Sequence, residues 1–359
     1  MTNRKYKITI HTSRAQGVHE EVTGVSYPQK PRCYVGDTIK VFTQKIEITA
    51  ERNRKYSIED VTKYKRNSLY LQVYKALLYL FLKKGKRINI RSIEIACGTR
   101  SETLGVDSKR QPLSGEINLM HPLSSNVLNV VWQDDIKGNV FRAAVSHYLI
   151  ALSSSERYKK FDRLWRAFEQ VAMWHKYHEA LPKKPKEFDA LVEMRKHFCT
   201  FPQELRNTFI FVNALDSVKI DKLHWRRLVE NNYLSTNKTN QVNGIYTDLV
   251  DKNKDERFVN VFRKAVDISK KDIISQGRID VFESLINGYT ATHVRNDAHV
   301  LSLIVCKYCY FMRNKIFHGE MDDMYFCFTN HTEDDDITDF LNELLTILVN
   351  ELICEYDKL

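Results

Sequence analysis

The sequence predicts a mainly α-helical fold that begins with a smaller α+β domain. Only 12 Gly and 7 Pro occur among the 359 residues, and this scarcity of chain-breaking residues favours helices over a turn-rich β structure. The first 50 residues alternate polar and apolar side chains as strands do, whereas from Val140 onward apolar residues recur at three- and four-residue intervals. The chain is also longer than one average domain, so two domains are expected.

The N-terminal α+β domain is expected over residues 1–135. Three strand patterns separated by Gly and Pro predict a small meander, in the segments KYKITIHT, EEVTGVSY and DTIKVFTQKIEIT. A basic helix follows at about 67–82, and another strand at 87–96. The irregular stretch 98–137, with its glycines, prolines and paired serines, is the expected boundary.

The second domain, residues 136–359, is expected to be helical. Its clearest helix is ERYKKFDRLWRAFEQVAMWHKYHEAL, which ends before Pro182 and Pro185. The apolar face of that helix consists of Phe161, Leu164, Trp165, Phe168, Val171 and Ala172. Further helices are predicted at 256–274, 281–286, 297–317 and 337–356, and residues 180–255 form an inserted helical segment.

The net charge and the composition indicate which class of partner the protein binds. A net charge of +10 and a pI near 9.1 create a positive potential that attracts polyanions, of which nucleic acid is the commonest. A membrane is not expected, because the longest apolar run, Ala76 to Leu82, is too short to span a bilayer. Seven cysteines without a framework spacing indicate free thiols, and we expect a cytoplasmic protein.

Polar residues interrupt the apolar helix pattern near its predicted end. The segment CKYCYFMRNKIFHGEMDD places Arg313, Asn314 and His318 there. Cleaving RNA without a metal requires a base for the 2′-hydroxyl proton, an acid for the leaving 5′-oxygen and positive charge beside the phosphate. Histidine exchanges protons near neutral pH, and arginine presents a charged fork to phosphate oxygens. Asn314 can orient the phosphate or the imidazole.

The spacing of Arg313 and His318 limits how they can act together. Five residues turn an ideal helix by roughly 140°, so the two side chains do not share a face. Either the helix ends near Gly319, or two copies of the segment meet across a two-fold axis in a homodimer. The same spacing occurs at Arg14/His19 and at Arg142/His147. The prediction therefore depends on the residues around Arg313 and His318 and not on their spacing alone.

The pattern R-N-x-x-F-H-G at 313–319, after an apolar helix, resembles the signature of the HEPN family, many of whose members are ribonucleases. The helix RYKKFDRLWRAFEQV is similar to the early helix of Apea-like HEPN domains, with Glu169 as an acidic residue directed at the motif. The resemblance covers residues 140–178 and 256–359. It implies a helical bundle, a composite Arg-His site at a dimer interface, and no metal or cofactor. Its members act in antiphage defence and as toxins.

Other interpretations of these residues remain open. Arg313 and His318 can be cations that complement a helix C-terminus. Cys306 and Cys309 form C-x-x-C, but burial as small apolar groups is favoured over a zinc or redox site. His175 and His178 share a helical face with aromatic neighbours, which is typical of an amphipathic surface. No G-x-S-x-G, H-E-x-x-H or phosphate-binding loop indicates another enzyme class.

The function predicted from the sequence is a metal-independent endoribonuclease controlled by a regulatory ligand or an inhibitor protein. The alternatives are a HEPN-like module that binds RNA, a nucleotide or a partner without cutting, and a structural dimerisation module. The N-terminal domain would sense a signal or position RNA. Its basic clusters, interleaved with tyrosines, either contact RNA or form solvated helix faces; they comprise Arg52, Arg54, Lys55, Lys63, Lys65, Arg66, Lys83, Lys84, Lys86 and Arg87, with Tyr56, Tyr64 and Tyr70.

Overall fold

The chain combines an N-terminal antiparallel sheet with a mostly helical remainder in a computed structural model. The structure describes residues 4–12, 20–25, 36–85, 88–106, 119, 122–177, 187–225, 228, 253–268, 283–284, 286–288, 292–317 and 331–359. Two compact units are present, one formed by residues 1–153 with 353–359 and the other by residues 154–352. The helix at 136–152 therefore groups with the N-terminal unit, while the predicted division at 135/136 into domains of different function stays a prediction.

The sheet of the first unit has the strand order β2-β3-β4-β1-β5-β6. Its described strands are β1 (Arg4–Thr12), β2 (Glu20–Val25), β3 (Asp37–Val41), β4 (Lys45–Arg52), β5 (Ile90–Cys97) and β6 (Arg100–Gly105). The predicted meander is wrong in one respect, because β1 lies between β4 and β5 instead of beside β2. Ile8 of β1 faces Ile48 on one side and Ile95 on the other, so burial of these isoleucines favours the central position.

The helices of the first unit begin and end at recognisable capping residues. They are α1 (Ile58–Thr62), α2 (Ser68–Lys84), α3 (Ser125–Val130) and α4 (Ile136–Leu152). The side chain of Asn67 accepts a hydrogen bond from the Leu69 N–H at the start of α2, and Gly85 ends that helix in the left-handed region with φ 65°. The predicted helix at 67–82 is thus confirmed, with two further residues at its C-terminal end.

The second unit is built from helices in its described residues. The longer ones are α5 (Arg157–Tyr177), α6 (Glu187–Thr200), α7 (Arg206–Asn213), α8 (Ser217–Asp221), α9 (Val259–Ile268), α10 (Asp297–Leu303), α11 (Tyr310–Phe317) and α12 (Glu333–Cys354). The six residues predicted to form the apolar face of α5 are all buried, which confirms that interpretation. No helix in the described ranges is both long and apolar enough to cross a bilayer.

Helices α10 and α11 are joined without a break by a π-helical segment, Ile304–Cys309. The predicted helix at 297–317 is therefore continuous but not uniform. Such segments have i→i+5 hydrogen bonds and are rare in proteins. The π segment is buried except for Lys307, and Lys307 Nζ lies 5.1 Å from the ring centre of Phe188 on α6. This contact brings the start of α6 beside the helix that carries Arg313.

Candidate active site

Arg313 and Asn314 lie in the last two turns of α11 and are joined by their side chains. Arg313 Nη1 donates a hydrogen bond to Asn314 Oδ1 over 2.8 Å, and the guanidinium carbon lies 5.4 Å from the ring centre of Phe317. Arg313 forms no ion pair with any carboxylate among the described residues. Among the described residues, the neighbours of its guanidinium are an amide and an aromatic ring, and a guanidinium in such surroundings can bind an anion such as phosphate.

Glu169 approaches the same place from α5. The indole of Trp165, one turn earlier on α5, packs against Tyr310 of α11 with ring centres 6.2 Å apart. Burial raises the pKa of the half-buried Glu169 carboxyl, and the neighbouring carboxyl group of Glu187 raises it further, while the charges of Arg313 and Arg166 lower it. The raising effects win, so Glu169 holds its proton to a higher pH than an ordinary glutamate.

Glu187 is a site residue that the sequence did not single out. It is the first residue of α6, and its carboxyl group contributes to raising the pKa of Glu169. Its Oε1 atom is shielded from solvent and has no hydrogen-bond partner among the described residues. Residue 187 lies in the inserted segment 180–255, which the resemblance to HEPN domains does not cover. An acidic residue in the first turn of a helix is also normally explained by its favourable interaction with the helix dipole.

The predicted site residues are therefore brought together in part. Arg313 and Asn314 are hydrogen-bonded on α11, and the charge of Arg313 lowers the pKa of Glu169 on α5. His318 lies outside the described residues, as does Gly319. The geometry that joins the imidazole to this cluster, whether within one chain or across a dimer, stays a prediction.

The cysteine pair before the motif has a structural role. Cys306 and Cys309 are both buried in the π segment, which confirms the expected burial. Desolvation raises the pKa of the Cys306 thiol to about 12 and that of Cys309 well above its usual value. Both side chains are therefore neutral thiols at physiological pH, and neither is an activated nucleophile.

A pair of histidines lies between α5 and α6. The rings of His175 and His197 are 4.9 Å apart, and Glu204 Oε2 lies 3.6 Å from His197 Nε2. The described residues contain no group of three or more His, Cys, Asp or Glu side chains arranged to hold a metal ion. His178 lies outside the described residues.

The basic clusters of the N-terminal unit divide into different environments. Arg52 is buried and forms a two-point ion pair with Asp37, with Nη–Oδ distances of 2.7 and 2.6 Å. It also donates to Ser68 Oγ. Arg52 therefore joins β3, β4 and α2. Both interpretations of the basic clusters, RNA contact and a solvated helix face, are wrong for Arg52, because its guanidinium is buried and paired with Asp37. Lys63 and Tyr64 are exposed, and contact with RNA stays a prediction for them.

Comparisons of the chain with protein-family models, with curated proteins and with solved structures find no match. A guanidinium and an amide are joined on α11, and a carboxyl group of raised pKa lies on α5 within reach of the guanidinium charge. These groups can bind a phosphate and donate a proton near it.

Proposed function

We propose that the protein is a metal-independent endoribonuclease of the HEPN type, active in antiphage defence or as a toxin. The observation that supports this most is the packing of α5, which carries Glu169, against α11, which carries Arg313, through Trp165 and Tyr310, because these helices lie far apart in sequence and the resemblance to HEPN domains pairs them. In this proposal Arg313 neutralises the phosphate, Asn314 orients it, and His318 exchanges a proton with the RNA. Proton transfer by side chains and a guanidinium charge are sufficient for transesterification at the 2′-hydroxyl.

The proposed active form is a homodimer in which two copies of the motif meet. The surface beside Arg313 supports this, because Phe317 is 66% exposed and Phe188, at the start of α6, is 57% exposed. Large exposed aromatic side chains are enriched where proteins associate. A second copy that covers both rings would also remove water from the guanidinium and strengthen its interaction with phosphate.

We also propose that the ribonuclease activity is regulated. An unregulated ribonuclease damages the RNA of its own cell, so a regulatory ligand or an inhibitor protein would assemble, uncover or block the site. The N-terminal α+β unit is proposed to sense that signal or to position RNA. The net charge of +10 supports RNA as the partner, since a positive protein releases counterions from the RNA backbone when it binds.

A histidine variant separates cutting from binding. We expect His318→Ala to abolish cleavage of total RNA, by at least about a hundredfold as for loss of a general acid or base, while RNA affinity in a filter-binding assay changes little. His11→Ala, a change on the partly exposed side chain of β1, is the control and should cut like the wild type. Persistence of both binding and cleavage in His318→Ala would contradict the proposal, and RNA binding without cleavage by the wild type would favour a non-catalytic binding module.

A further inference from the structure

An exposed basic surface of the first unit surrounds the short helix α1. Its cations lie in the loops before and after that helix and at the start of strand β6. All are exposed, and none forms an ion pair with a carboxylate in the described part of the chain. We call this set the α1 basic surface; it consists of Arg54, Lys55, Lys65, Arg66 and Arg100.

Hydrogen bonds hold the two basic loops on either side of α1 together. The carboxylate of Asp60 accepts from the Ser57 N–H over 2.8 Å and from Asn67 Nδ2 over 3.3 Å. Ser57 lies two residues after Lys55, and Asn67 directly follows Arg66. One carboxylate thus binds the ends of both loops, so the basic side chains of the two loops lie in one region of the surface.

Strands β1 and β6 fix the remaining parts of this region. Glu102 of β6 accepts a hydrogen bond from the Ile58 N–H at the start of α1 over 2.8 Å, and Arg100 lies two residues earlier on the same face of that strand. Tyr6 of β1 donates to the backbone oxygen of Arg54 over 2.8 Å. The loop before α1 and the start of β6 are therefore both held against the same helix.

Three carboxylates of this region have partners already. Asp60 caps the start of its own helix, Glu59 pairs with Lys63 over 2.5 Å, and Glu102 accepts the Ile58 N–H. The five cations of the α1 basic surface, together with Lys63, outnumber these three carboxylates. The region therefore keeps a positive charge that attracts a polyanion.

A large aromatic side chain stands among these cations. Tyr64 is 55% exposed, and its backbone oxygen accepts from the Asn67 N–H over 2.8 Å, which closes a turn with Lys65 and Arg66 at its centre. Two basic side chains thus follow the exposed ring directly. Cations bind phosphates, and an exposed ring stacks on an unpaired base, a group that a phospholipid headgroup lacks.

We propose that the α1 basic surface binds single-stranded RNA, with its cations on the phosphates and Tyr64 stacked on a base. The inference rests on the proposed function, which makes RNA the substrate. It goes further because it assigns RNA positioning, and not signal sensing, to the N-terminal unit and names the residues involved. Its test does not require cleavage, so the two proposals can fail separately.

The test measures binding of single-stranded 2′-O-methyl RNA to the full chain by fluorescence anisotropy over a range of salt concentrations. This probe lacks the 2′-hydroxyl that transesterification needs. We expect Lys65→Gln with Arg66→Gln to weaken binding at least about tenfold and to lower the slope of log affinity against log salt by about 1.4, from roughly 0.7 for each lost phosphate contact. Lys40→Gln with Lys45→Gln removes the same charge from ion-paired lysines of β3 and β4 and should bind within about twofold of wild type.

Tyr64 separates stacking from charge. Tyr64→Ala should weaken binding at least about fivefold and leave the salt slope unchanged, whereas Tyr64→Phe keeps an aromatic ring and should bind like the wild type. An oligonucleotide without bases offers nothing to stack on, so the wild type and Tyr64→Ala should bind it equally.

Four results would overturn the inference: no binding of the probe by the wild type, equal losses in the Lys65/Arg66 variant and the Lys40/Lys45 control, an unchanged affinity in Tyr64→Ala, or a loss in the Lys65/Arg66 variant that affects phosphatidylserine vesicles but not RNA. The last result would indicate a membrane-binding surface. Binding of the probe that depends on Lys65, Arg66 and Tyr64 supports the inference even where total RNA stays uncut, a result that would end the proposed ribonuclease activity alone.

Discussion

Arg142 and Arg313 each precede a histidine by five residues, yet their guanidinium groups have different surroundings. Arg142 is 3% exposed and donates to the backbone oxygens of Val131 and Gln133 over 2.8 and 2.5 Å. The Arg142 guanidinium therefore fixes the backbone of the segment that precedes α4. Arg313 is only half-buried and has an amide and a phenyl ring as neighbours. The same spacing therefore serves packing at one position and, as we propose, phosphate binding at the other.

His197 makes the stability of the second unit sensitive to acid. Burial and, to a smaller extent, the neighbouring His175 together lower its pKa from the usual 6.5 to about 4, although Glu204 Oε2 lies 3.6 Å from His197 Nε2. In the unfolded chain His197 binds a proton below its ordinary pKa of 6.5, whereas in the folded chain it stays neutral until about pH 4. The free energy of unfolding therefore falls as the pH drops from 6.5 towards 4. The loss approaches about 3 kcal/mol, from roughly 1.4 kcal/mol for each pKa unit.

Urea unfolding between these pH values measures the effect. His197→Phe cannot bind a proton, and we expect its stability to change less with pH than that of the wild type, by about 3 kcal/mol. His11→Gln, which replaces an exposed histidine of β1, is the control and should keep the wild-type slope. An unchanged slope in His197→Phe would show that other groups cause the acid sensitivity.

At the scale of elements, α6 is the helix that completes the candidate site. It contributes Glu187, whose carboxyl group raises the pKa of Glu169, and its Phe188 ring contacts Lys307 of the π segment. The aromatic pair Trp165–Tyr310 joins α5 to α11. A segment expected to be an insertion thus contacts the π segment that precedes the motif. A change in the position of α6 would alter the effect of Glu187 on the pKa of Glu169.

Helix α12 stabilises the start of α7 through one buried carboxylate. Glu351 is 3% exposed and accepts four hydrogen bonds, two from Asn207 and two from Thr208, over 2.6 to 3.0 Å. In Glu351→Gln, an NH₂ group replaces one acceptor oxygen and leaves buried donors unpaired. We expect a loss of about 3 kcal/mol in the free energy of unfolding, measured by urea denaturation. Glu343→Gln, exposed on the same helix, should change it by less than about 0.5 kcal/mol; similar values for both would contradict this account of α7.

The elements with strong periodicity could be predicted from sequence, and the others could not for physical reasons. The apolar face of α5 and the capped helix α2 follow local rules. Strand β6 was missed because all of its residues are exposed and no alternation of buried and polar side chains marks an edge strand of that kind. The central position of β1 depends on pairing with β4 and β5, and alternation reveals which face is buried but not which strands are neighbours.

At the scale of the whole molecule, some residues of the candidate site could be predicted from sequence and others could not. Arg313, Asn314 and Glu169 could be selected from sequence because a motif and a helix pattern pointed to them. Glu187 could not, because its effect on the pKa of Glu169 acts between α5 and α6 and no local pattern encodes it. The π segment could not be predicted from sequence either, since its apolar residues also fit an ordinary buried helix. Residues whose function depends on a neighbour from another element need the structure.

The central claim is that side chains around Arg313 cleave RNA without a metal, and incubation of the purified protein with total RNA in excess EDTA tests it most directly. The comparison is between the wild type, Arg313→Ala and Lys315→Ala, a charge-matched control on the same helix. We expect the wild type and Lys315→Ala to produce fragments with 2′,3′-cyclic phosphate ends, and Arg313→Ala to be slower by at least about a hundredfold. Equal cleavage by Arg313→Ala, or cleavage by the wild type that EDTA abolishes, would contradict the claim.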